Sequence, residues 1–425
     1  MSSSSSSSSL PPLYATSLAQ GYGLPLYSEN ASDTERVIHT APSSPSSSSY
    51  NPIRRFVHRT DHLEVDMGDF PYVLMHPAYG ARGVVSGTLK FTHPCSYVSA
   101  VTVKLEGLVS TAVVENARVA VPTLQRMALF SKTVQLVSDQ TRDTARTVSA
   151  GSTYPFSIPF PTHTTADRPV PLPPSYAAIH PGVSTHIDYR LQVEIKRKGM
   201  LRRNEILHIP VLYLPKSHPP SPTSTDPPIC FAQMAKPVVL APTWPKPEGA
   251  RCSSVGAQIP CIQLFVPMPR CFPSGDSIPL AVDINCASSP ALAKLYAPGV
   301  QVLLIKRRKI WVADGRAVNI QESVLATGVS SHKSDSTFGS SRLSFNLGAG
   351  EPGCETGFAV NGAIEVSYVV RVIARPPPDI RHLPTFRVDE VVQLTTDRYE
   401  DPEMEILLDA RGTPALGLTT LRPQY

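Results

Sequence analysis

Charge is scarce in this sequence, because Asp, Glu, Lys and Arg make up only 17% of 425 residues and the formal net charge is +5. Dedicated nucleic-acid-binding proteins carry much stronger basic patches, so the composition argues against that class. The sequence also lacks the roughly 20 consecutive apolar residues of a membrane helix. Its N-terminal serine run, Ser2 to Ser9, has neither the basic nor the apolar region of a signal peptide. We therefore expect an intracellular protein.

Motifs that would indicate a metal site or catalysis are missing as well. The seven cysteines are Cys95, Cys230, Cys252, Cys261, Cys271, Cys286 and Cys354. Their odd number and the absence of Cys-x-x-Cys indicate neither a zinc site nor a disulfide framework, so we expect free thiols. There is no Gly-x-Ser-x-Gly, no phosphate-binding loop and no His-Glu-x-x-His. We expect a protein that is not an enzyme and uses no cofactor.

Proline, in contrast, is abundant, with 44 residues, about double the usual frequency of roughly 5%. Proline lacks an N–H group and breaks helices, so a largely α-helical protein is excluded. Apolar residues instead recur with a period of two in stretches such as "HIDYRLQVEIKRK", "SIPLAVDINC" and "AIEVSYVVRVIARP". This alternation is typical of antiparallel strands that bury one face. The sequence therefore predicts an all-β protein.

The strand-like stretches fall into two blocks separated by proline-rich sequence, which predicts two antiparallel β-sandwich domains. The predicted boundaries are a disordered Ser/Pro-rich tail over 1–53, a first sandwich over 54–215, a linker over 216–258, a second sandwich over 259–396 and a C-terminal tail over 397–425. The N-terminal segment has few charges and few apolar side chains to bury, as disordered segments do. The stretch "PALAKLYAPG" could supply one or two helical turns.

The two blocks resemble the arrestin-like family, in particular its fungal arrestin-related trafficking adaptors. In the first block the likeness rests on "GVVSGTLKFT", "SAVTVKLEG", "YPFSIPFP", "LPPSY" and "HIDYRLQVEIKRKGMLRRNEILHIPVLYLP". In the second it rests on "IPCIQLFVPMPRCFPSGDSIPLAVDI", "LYAPGVQVLLIKRRKIWV" and "SYVVRVIARP". The resemblance implies two β-sandwiches joined by a short linker. The buried charged core and clathrin-binding tail of receptor arrestins cannot be located in the sequence, which favours the adaptor branch.

Three Pro-x-Tyr segments are candidate ligands of WW domains, which bind a polyproline II helix and an adjacent tyrosine. Two lie in the N-terminal tail and comprise Pro11, Pro12, Leu13 and Tyr14, then Leu24, Pro25 and Tyr27. The third comprises Pro173, Pro174 and Tyr176. In the family this third segment leads into a strand, so we expect Tyr176 to pack inside the sandwich and not to act as a ligand.

Two basic clusters are candidate contacts for anionic lipid or an acidic partner, where each basic residue near a charged membrane contributes about 1 kcal/mol. The first comprises Lys196, Arg197, Lys198, Arg202 and Arg203, across a predicted hairpin turn. The second comprises Lys306, Arg307, Arg308 and Lys309, which we also predict to be a hairpin tip. The alternative for both is a solvated turn without a partner.

The resemblance implies an adaptor that links the cytoplasmic segments of transporters or receptors to a WW-domain, HECT-type ubiquitin ligase. Such a protein acts in the cytoplasm, peripherally at the plasma membrane and endosomes, and promotes ubiquitylation, endocytosis and sorting of its cargo. One alternative is an arrestin-fold structural subunit of an endosomal coat, which would need no tyrosine motif. Another is a β-sandwich enzyme or carbohydrate binder, which would need a convergent polar cluster that the sequence does not reveal.

Overall fold

Strands make up most of the described residues in the computed structural model, and they form four β-sheets. The structure describes residues 53–113, 123–138, 146–199, 203–222, 237–244, 259–312, 317–335, 339–380, 382–399 and 412–421. All of them belong to one compact unit, Asn51–Tyr425. The four sheets form two β-sandwich bodies, so the all-β prediction is confirmed.

The first body contains eleven strands. They are β1 (Arg54–Arg59), β2 (Leu63–Phe70), β3 (Ala78–Tyr79), β4 (Val84–Phe91), β5 (Cys95–Val113), β6 (Thr123–Ser138), β7 (Arg146–Val148), β8 (Thr153–Pro159), β9 (Tyr176–His180), β10 (Val183–Arg197) and β11 (Glu205–Tyr213). One sheet has the order β1-β2-β4-β8 and the other the order β3-β11-β10-β5-β6, with β7 paired to β5 and β9 paired to β10.

The second body contains the remaining strands and one short helix. They are β12 (Val238–Val239), β13 (Ala241–Thr243), β14 (Cys261–Phe265), β15 (Cys271–Pro273), β16 (Ser277–Asn285), α1 (Pro290–Tyr296), β17 (Val300–Val312), β18 (Ala317–Thr327), β19 (Val329–Asp335), β20 (Ser340–Gly348), β21 (Phe358–Val360), β22 (Ile364–Ala374) and β23 (Thr385–Thr395). One sheet has the order β12-β14-β16-β20-β19 and the other the order β13-β23-β22-β17-β18, with β15 paired to β23 and β21 to β22. The chain also has two 3₁₀ helices, Ala297–Gly299 and Leu416–Leu421.

The core of each body consists of the apolar side chains that lie on the buried face of its long strands. In β10, Ile187, Leu191 and Val193 are fully buried, while the alternate residues Asp188, Arg190 and Gln192 are partly exposed. In β22, Ile364 and Val370 are fully buried in the same way. Burying one face of a strand removes apolar surface from water at about 25 cal/mol per Å², which is why the alternation predicts these strands well.

Two short strands lie within the segment predicted to be a linker, residues 216–258. β12 pairs with β14, and β13 pairs with β23, so both belong to the second body. Strands of two and three residues are too short to show an alternation. The sequence pattern therefore could not identify them.

Part of the predicted C-terminal tail packs against the first body. The amide of Gly80 donates to the carbonyl of Gly412 at 2.6 Å, and the amide of Ala415 donates to the carbonyl of Leu214 at 2.8 Å. Ala415 and Leu418 are buried in a small apolar cluster with Ala78, Leu212 and Leu214. Residues 412–421 therefore return from the second body to the edge of the first.

Candidate functional site

The two N-terminal motifs lie outside the described residues. They comprise Pro11, Pro12, Leu13, Tyr14, Leu24, Pro25 and Tyr27. Their assignment as WW-domain ligands therefore stays a prediction. The third segment is described in full, so its accessibility can be stated.

Pro173, Pro174 and Tyr176 are integral to the first body. All three are buried, and Tyr176 retains only 2% exposure. The hydroxyl of Tyr189 donates a hydrogen bond to the carbonyl of Pro173 at 2.5 Å, and Tyr176 begins β9 opposite Ile187 of β10. Tyr176 is buried, as expected, but its ring and hydroxyl contact Phe358 and Arg308 of the second body, so it packs where the two bodies meet. A WW domain binds an exposed proline helix, which this segment does not offer while the body is folded.

The first basic cluster lies at the turn between β10 and β11, whose antiparallel pairing confirms the predicted hairpin. It comprises Lys196, Arg197, Lys198, Arg202 and Arg203, of which Arg202 is not described. The guanidinium of Arg197 lies 3.3 Å from the carboxylate of Glu205, and Nζ of Lys196 lies 3.8 Å from that of Glu194. Acidic residues of the same hairpin thus offset part of the positive charge. Contact with anionic lipid stays a prediction here.

The second basic cluster is not a hairpin tip, and that prediction is wrong. Lys306, Arg307, Arg308 and Lys309 lie inside β17, which pairs with β18 on one side and β22 on the other and continues to Val312. Four consecutive basic residues are accommodated in a central strand because each has a polar or acidic partner on a neighbouring element. Nζ of Lys309, for example, donates to Glu365 at 3.0 Å.

A buried ion pair lies on the inner side of β17. Lys306 is 2% exposed, and its Nζ donates to Oε2 of Glu355 at 2.6 Å. The hydroxyl of Tyr368 donates to the same carboxylate oxygen at 2.6 Å. Burial lowers the pKa of Lys306 below its ordinary value, although the attraction of Glu355 opposes this shift. The charged form of Lys306 is therefore stabilised by the carboxylate of Glu355.

Beside this pair, Arg308 joins the second body to the first. Its Nε donates to the hydroxyl of Tyr176 at 3.0 Å, and the Tyr176 ring lies edge-on to Phe358 with a centroid distance of 5.1 Å. Burial raises the pKa of Tyr176 above its ordinary value, and the Arg308 charge opposes that shift. These contacts and the Lys306–Glu355 pair form what we call the inter-body cluster.

A buried charged core cannot be located from the sequence alone, yet the inter-body cluster contains the buried ion pair of Lys306 and Glu355. The stretch "VQVLLIKRRKI" does contain a signal that Lys306 is buried. Lys306 has the same parity as Val302, Leu304 and Ile310, which are 1%, 0% and 0% exposed. A lysine on the buried parity of a strand indicates a buried carboxylate partner, but nothing local pointed to Glu355.

A groove of about 730 Å³ opens beside the inter-body cluster. Its charged and titratable lining includes His180, Lys306, Arg308, Glu351 and Glu355. Nε2 of His180 is buried and has no hydrogen-bond partner. Burial lowers the pKa of His180, and the nearby Arg308 charge adds to the shift. Within this lining, Lys306 and Glu355 pair with each other, whereas Arg308 donates to the uncharged hydroxyls of Tyr176 and Ser323.

The outward face of the same sheet carries an ion-pair network. Arg307 contacts Glu322 and Asp389, each at 2.9 Å through its Nε and Nη2 respectively. Arg371 donates to both carboxylate oxygens of Asp389, at 2.8 and 2.7 Å. Burial alone would raise the pKa of Asp389, but the hydrogen bonds from Arg371 and Arg387 outweigh it and hold that pKa well below its ordinary value. Arg307 thus pairs with carboxylates of its own sheet, which argues against the prediction that it contacts anionic lipid.

No family model matches the chain, and no curated protein matches it either. Among the described residues, three or more metal-ligating side chains never converge on one point. The same part of the chain contains no helix with the length and apolar character needed to cross a bilayer.

Proposed function

We propose that this protein is a non-enzymatic, arrestin-like adaptor of the fungal arrestin-related trafficking type. It joins the cytoplasmic segment of a membrane transporter or receptor to a WW-domain, HECT-type ubiquitin ligase. The cargo is then ubiquitylated, internalised and sorted. The two β-sandwich bodies and the ordered set of family-like segments along the chain support this proposal.

The contrast between the three Pro-x-Tyr segments carries the proposal. The segment ending at Tyr176 is buried, so its match to the WW-ligand pattern is explained by packing. The segments ending at Tyr14 and Tyr27 precede the compact unit that begins at Asn51. Their proline-tyrosine chemistry suits a WW groove.

The contrast assigns different roles to the N-terminal segment and to the two bodies. The N-terminal segment recruits the ligase, while the two bodies engage the cargo and hold it near the ligase. Tethering cargo and ligase on one chain raises their effective concentration, because the second encounter becomes intramolecular. An adaptor of this kind needs no chemistry of its own.

A pull-down of the ligase with full-length protein tests the proposal. We expect Tyr14→Ala/Tyr27→Ala to abolish ligase recovery and to leave the thermal unfolding midpoint unchanged. The matched control is Tyr22→Ala/Tyr50→Ala, which removes two tyrosines of the same segment that do not follow a Pro-x pair. The control should recover the ligase as the unmodified protein does.

The same experiment separates the adaptor from a structural subunit of an endosomal coat. A coat subunit would bind its partners through large stable surfaces and would be indifferent to both tyrosines. Equal recovery of ligase with Tyr14→Ala/Tyr27→Ala would contradict the adaptor proposal.

A further inference from the structure

Exposed sheet edges differ sharply in how well they are protected against pairing with another chain. An edge strand offers unpaired N–H and C=O groups, and proteins usually protect it by short length, proline or charged side chains, above all lysine. The four sheets have eight terminal strands. Three are only two or three residues long, namely β3, β12 and β13.

Four of the longer terminal strands carry proline or basic residues. β8 has Pro155 and Pro159, β1 has Arg54, Arg55 and Arg59, β6 has Arg126 and Lys132, and β19 has Lys333. Each of these features hinders pairing with an additional strand. β18 is the exception among the eight.

β18 has the sequence AVNIQESVLAT, 11 residues without proline, lysine or arginine. It pairs with β17 along its length, and no described strand pairs with its other edge. Its one charged residue, Glu322, is paired with Arg307 and Arg371, each at 2.8 Å. The pairing with β17 is regular from Ala317 to Val324, before a β-bulge at Leu325. The edge therefore offers eight regular residues without net charge.

Several side chains of β18 lack partners, and they lie on both of its faces. On the outward face, Val318, Ile320 and Val324 are 45%, 58% and 58% exposed. On the other face, Oδ1 of Asn319 and Oε1 of Gln321 are buried without a hydrogen-bond partner. A buried acceptor left unpaired is destabilising, and exposed apolar side chains gain from burial, so both faces would be stabilised by a further strand.

We propose that β18 is the interface of a homodimer, in which the β18 strands of two copies pair antiparallel across a two-fold axis at Gln321. This register places Val318 opposite Val324 of the second copy. It also places Gln321 opposite Gln321 and Asn319 opposite Ser323 of the second copy.

The register is self-complementary on both faces. The two valine contacts bury apolar surface, and directly opposed apolar side chains stabilise the pairing of two strands. On the other face, rotation of the Gln321 amide toward the edge allows the two amides to exchange N–H···O bonds. The Ser323 hydroxyl of the second copy is a donor for Asn319. Ile320 faces Glu322 of the second copy, which keeps like charges apart.

A second copy fits this edge better than other occupants do. The edge carries no net charge to attract an acidic or basic peptide, and the strand complementary to it is uncharged and rich in β-branched residues. β18 itself has that composition. Residues 1–52 of the same chain are rich in proline and serine, and proline cannot donate to a strand ladder.

Sedimentation velocity of the full-length protein over a wide concentration range tests the inference, which is independent of the proposed function. We expect a concentration-dependent dimer, because one strand pair buries less surface than the roughly 1,200 Å² of a standard interface. Val318→Lys/Val324→Lys places lysines opposite each other and should raise the dissociation constant at least about tenfold. The control Val239→Lys/Val391→Lys alters two valines that are 59% and 60% exposed on other strands and should dimerise normally.

A charge-complementary variant tests the register itself. In Val318→Lys/Val324→Glu, each lysine faces a glutamate of the second copy, so the dimer should be restored relative to the double lysine variant. Circular dichroism melting checks that each variant is folded. A protein that is monomeric at all concentrations, a dimer indifferent to the double lysine variant, or a failure of the lysine-glutamate variant to restore dimerisation would each overturn the proposal.

Discussion

Tyr176 shows how one residue can match a ligand motif and still be structural. Its hydroxyl accepts a hydrogen bond from Arg308 at 3.0 Å, and its ring packs edge-on against Phe358. Both partners belong to the second body, whereas Tyr176 begins β9 of the first. The sequence predicts burial at this position, but it could not predict that the contacts cross between bodies.

Two substitutions at Tyr176 separate its ring from its hydroxyl. Tyr176→Ala removes a large buried side chain and should lower the free energy of unfolding by about 3–5 kcal/mol. Tyr176→Phe keeps the ring and leaves Arg308 without this acceptor, which should cost about 1–3 kcal/mol. Guanidinium denaturation measures both, and ligase recovery should be unchanged in each folded variant. A Tyr176→Ala protein of normal stability that loses the ligase would instead make Tyr176 the ligand.

The Lys306–Glu355 pair allows a second prediction at this scale. Glu355→Leu leaves Lys306 buried and unpaired, which should lower the free energy of unfolding by about 3–5 kcal/mol. Lys306→Met/Glu355→Leu replaces both charges by apolar groups and should recover most of that loss. The Tyr368 hydroxyl keeps the carbonyl of Thr356 as an acceptor at 3.2 Å. A double-mutant cycle in guanidinium checks this, and additive losses in the double variant would contradict it.

At the scale of elements, alternation predicts the long strands and fails where an element is short or carries unusual side chains. β10 and β22 show the expected parity of buried and partly exposed residues. β17 was misinterpreted because four basic residues suggested a turn, while their partners Glu322, Glu355 and Glu365 are distant in sequence. β12 and β13 were missed because so few residues leave no period to detect.

Residues 412–421 lie in the segment that the sequence predicts to be a C-terminal tail. Its contact with the first body depends on glycine at position 80, where a Cβ atom would collide with the carbonyl oxygens of Gly412 and Thr413. The amide of Gly80 also donates to Gly412 at this point. The close approach of two backbones here requires a residue without a side chain.

We expect Gly80→Ala to displace residues 412–421 from the first body. Limited proteolysis should then cleave the C-terminal segment faster, and the buried contacts of Leu418 should be lost. Gly348→Ala is the matched control, because a Cβ there meets only Ala326 at an ordinary 3.9 Å. Equal proteolysis of the two variants would show that the segment is not held at Gly80.

At the scale of the whole molecule, composition and alternation predict two all-β bodies but not the way they meet. The inter-body cluster joins Tyr176 to Arg308 and Lys306 to Glu355, pairs separated by 132 and 49 residues. The Tyr176–Arg308 contact depends on the packing of the two bodies, and the Lys306–Glu355 pair depends on the fold of the second body. No local pattern encodes either. The proposed WW-ligand motifs can be found from local sequence, because the chemistry of such a motif is complete within four residues.

The spacing of the N-terminal motifs gives the last prediction. Tyr14 and Tyr27 are 13 residues apart. The composition predicts disorder for this segment, and a disordered chain of that length spans roughly 20 Å root-mean-square, from about 5–6 Å times the square root of the residue number. That distance suits two neighbouring WW domains of one ligase, so binding of the first motif raises the effective concentration of the second.

A tandem pair of WW domains should therefore bind the full-length protein at least about tenfold more tightly than either domain alone. Tyr14→Ala and Tyr27→Ala should each remove this advantage and reduce the tandem affinity to that of a single domain, measured by isothermal titration calorimetry. Tyr22→Ala leaves both motifs intact and should keep the full avidity. If either single tyrosine variant retains the tandem affinity, the two motifs do not occupy the two WW domains at the same time. Recruitment of the ligase would then depend on one motif.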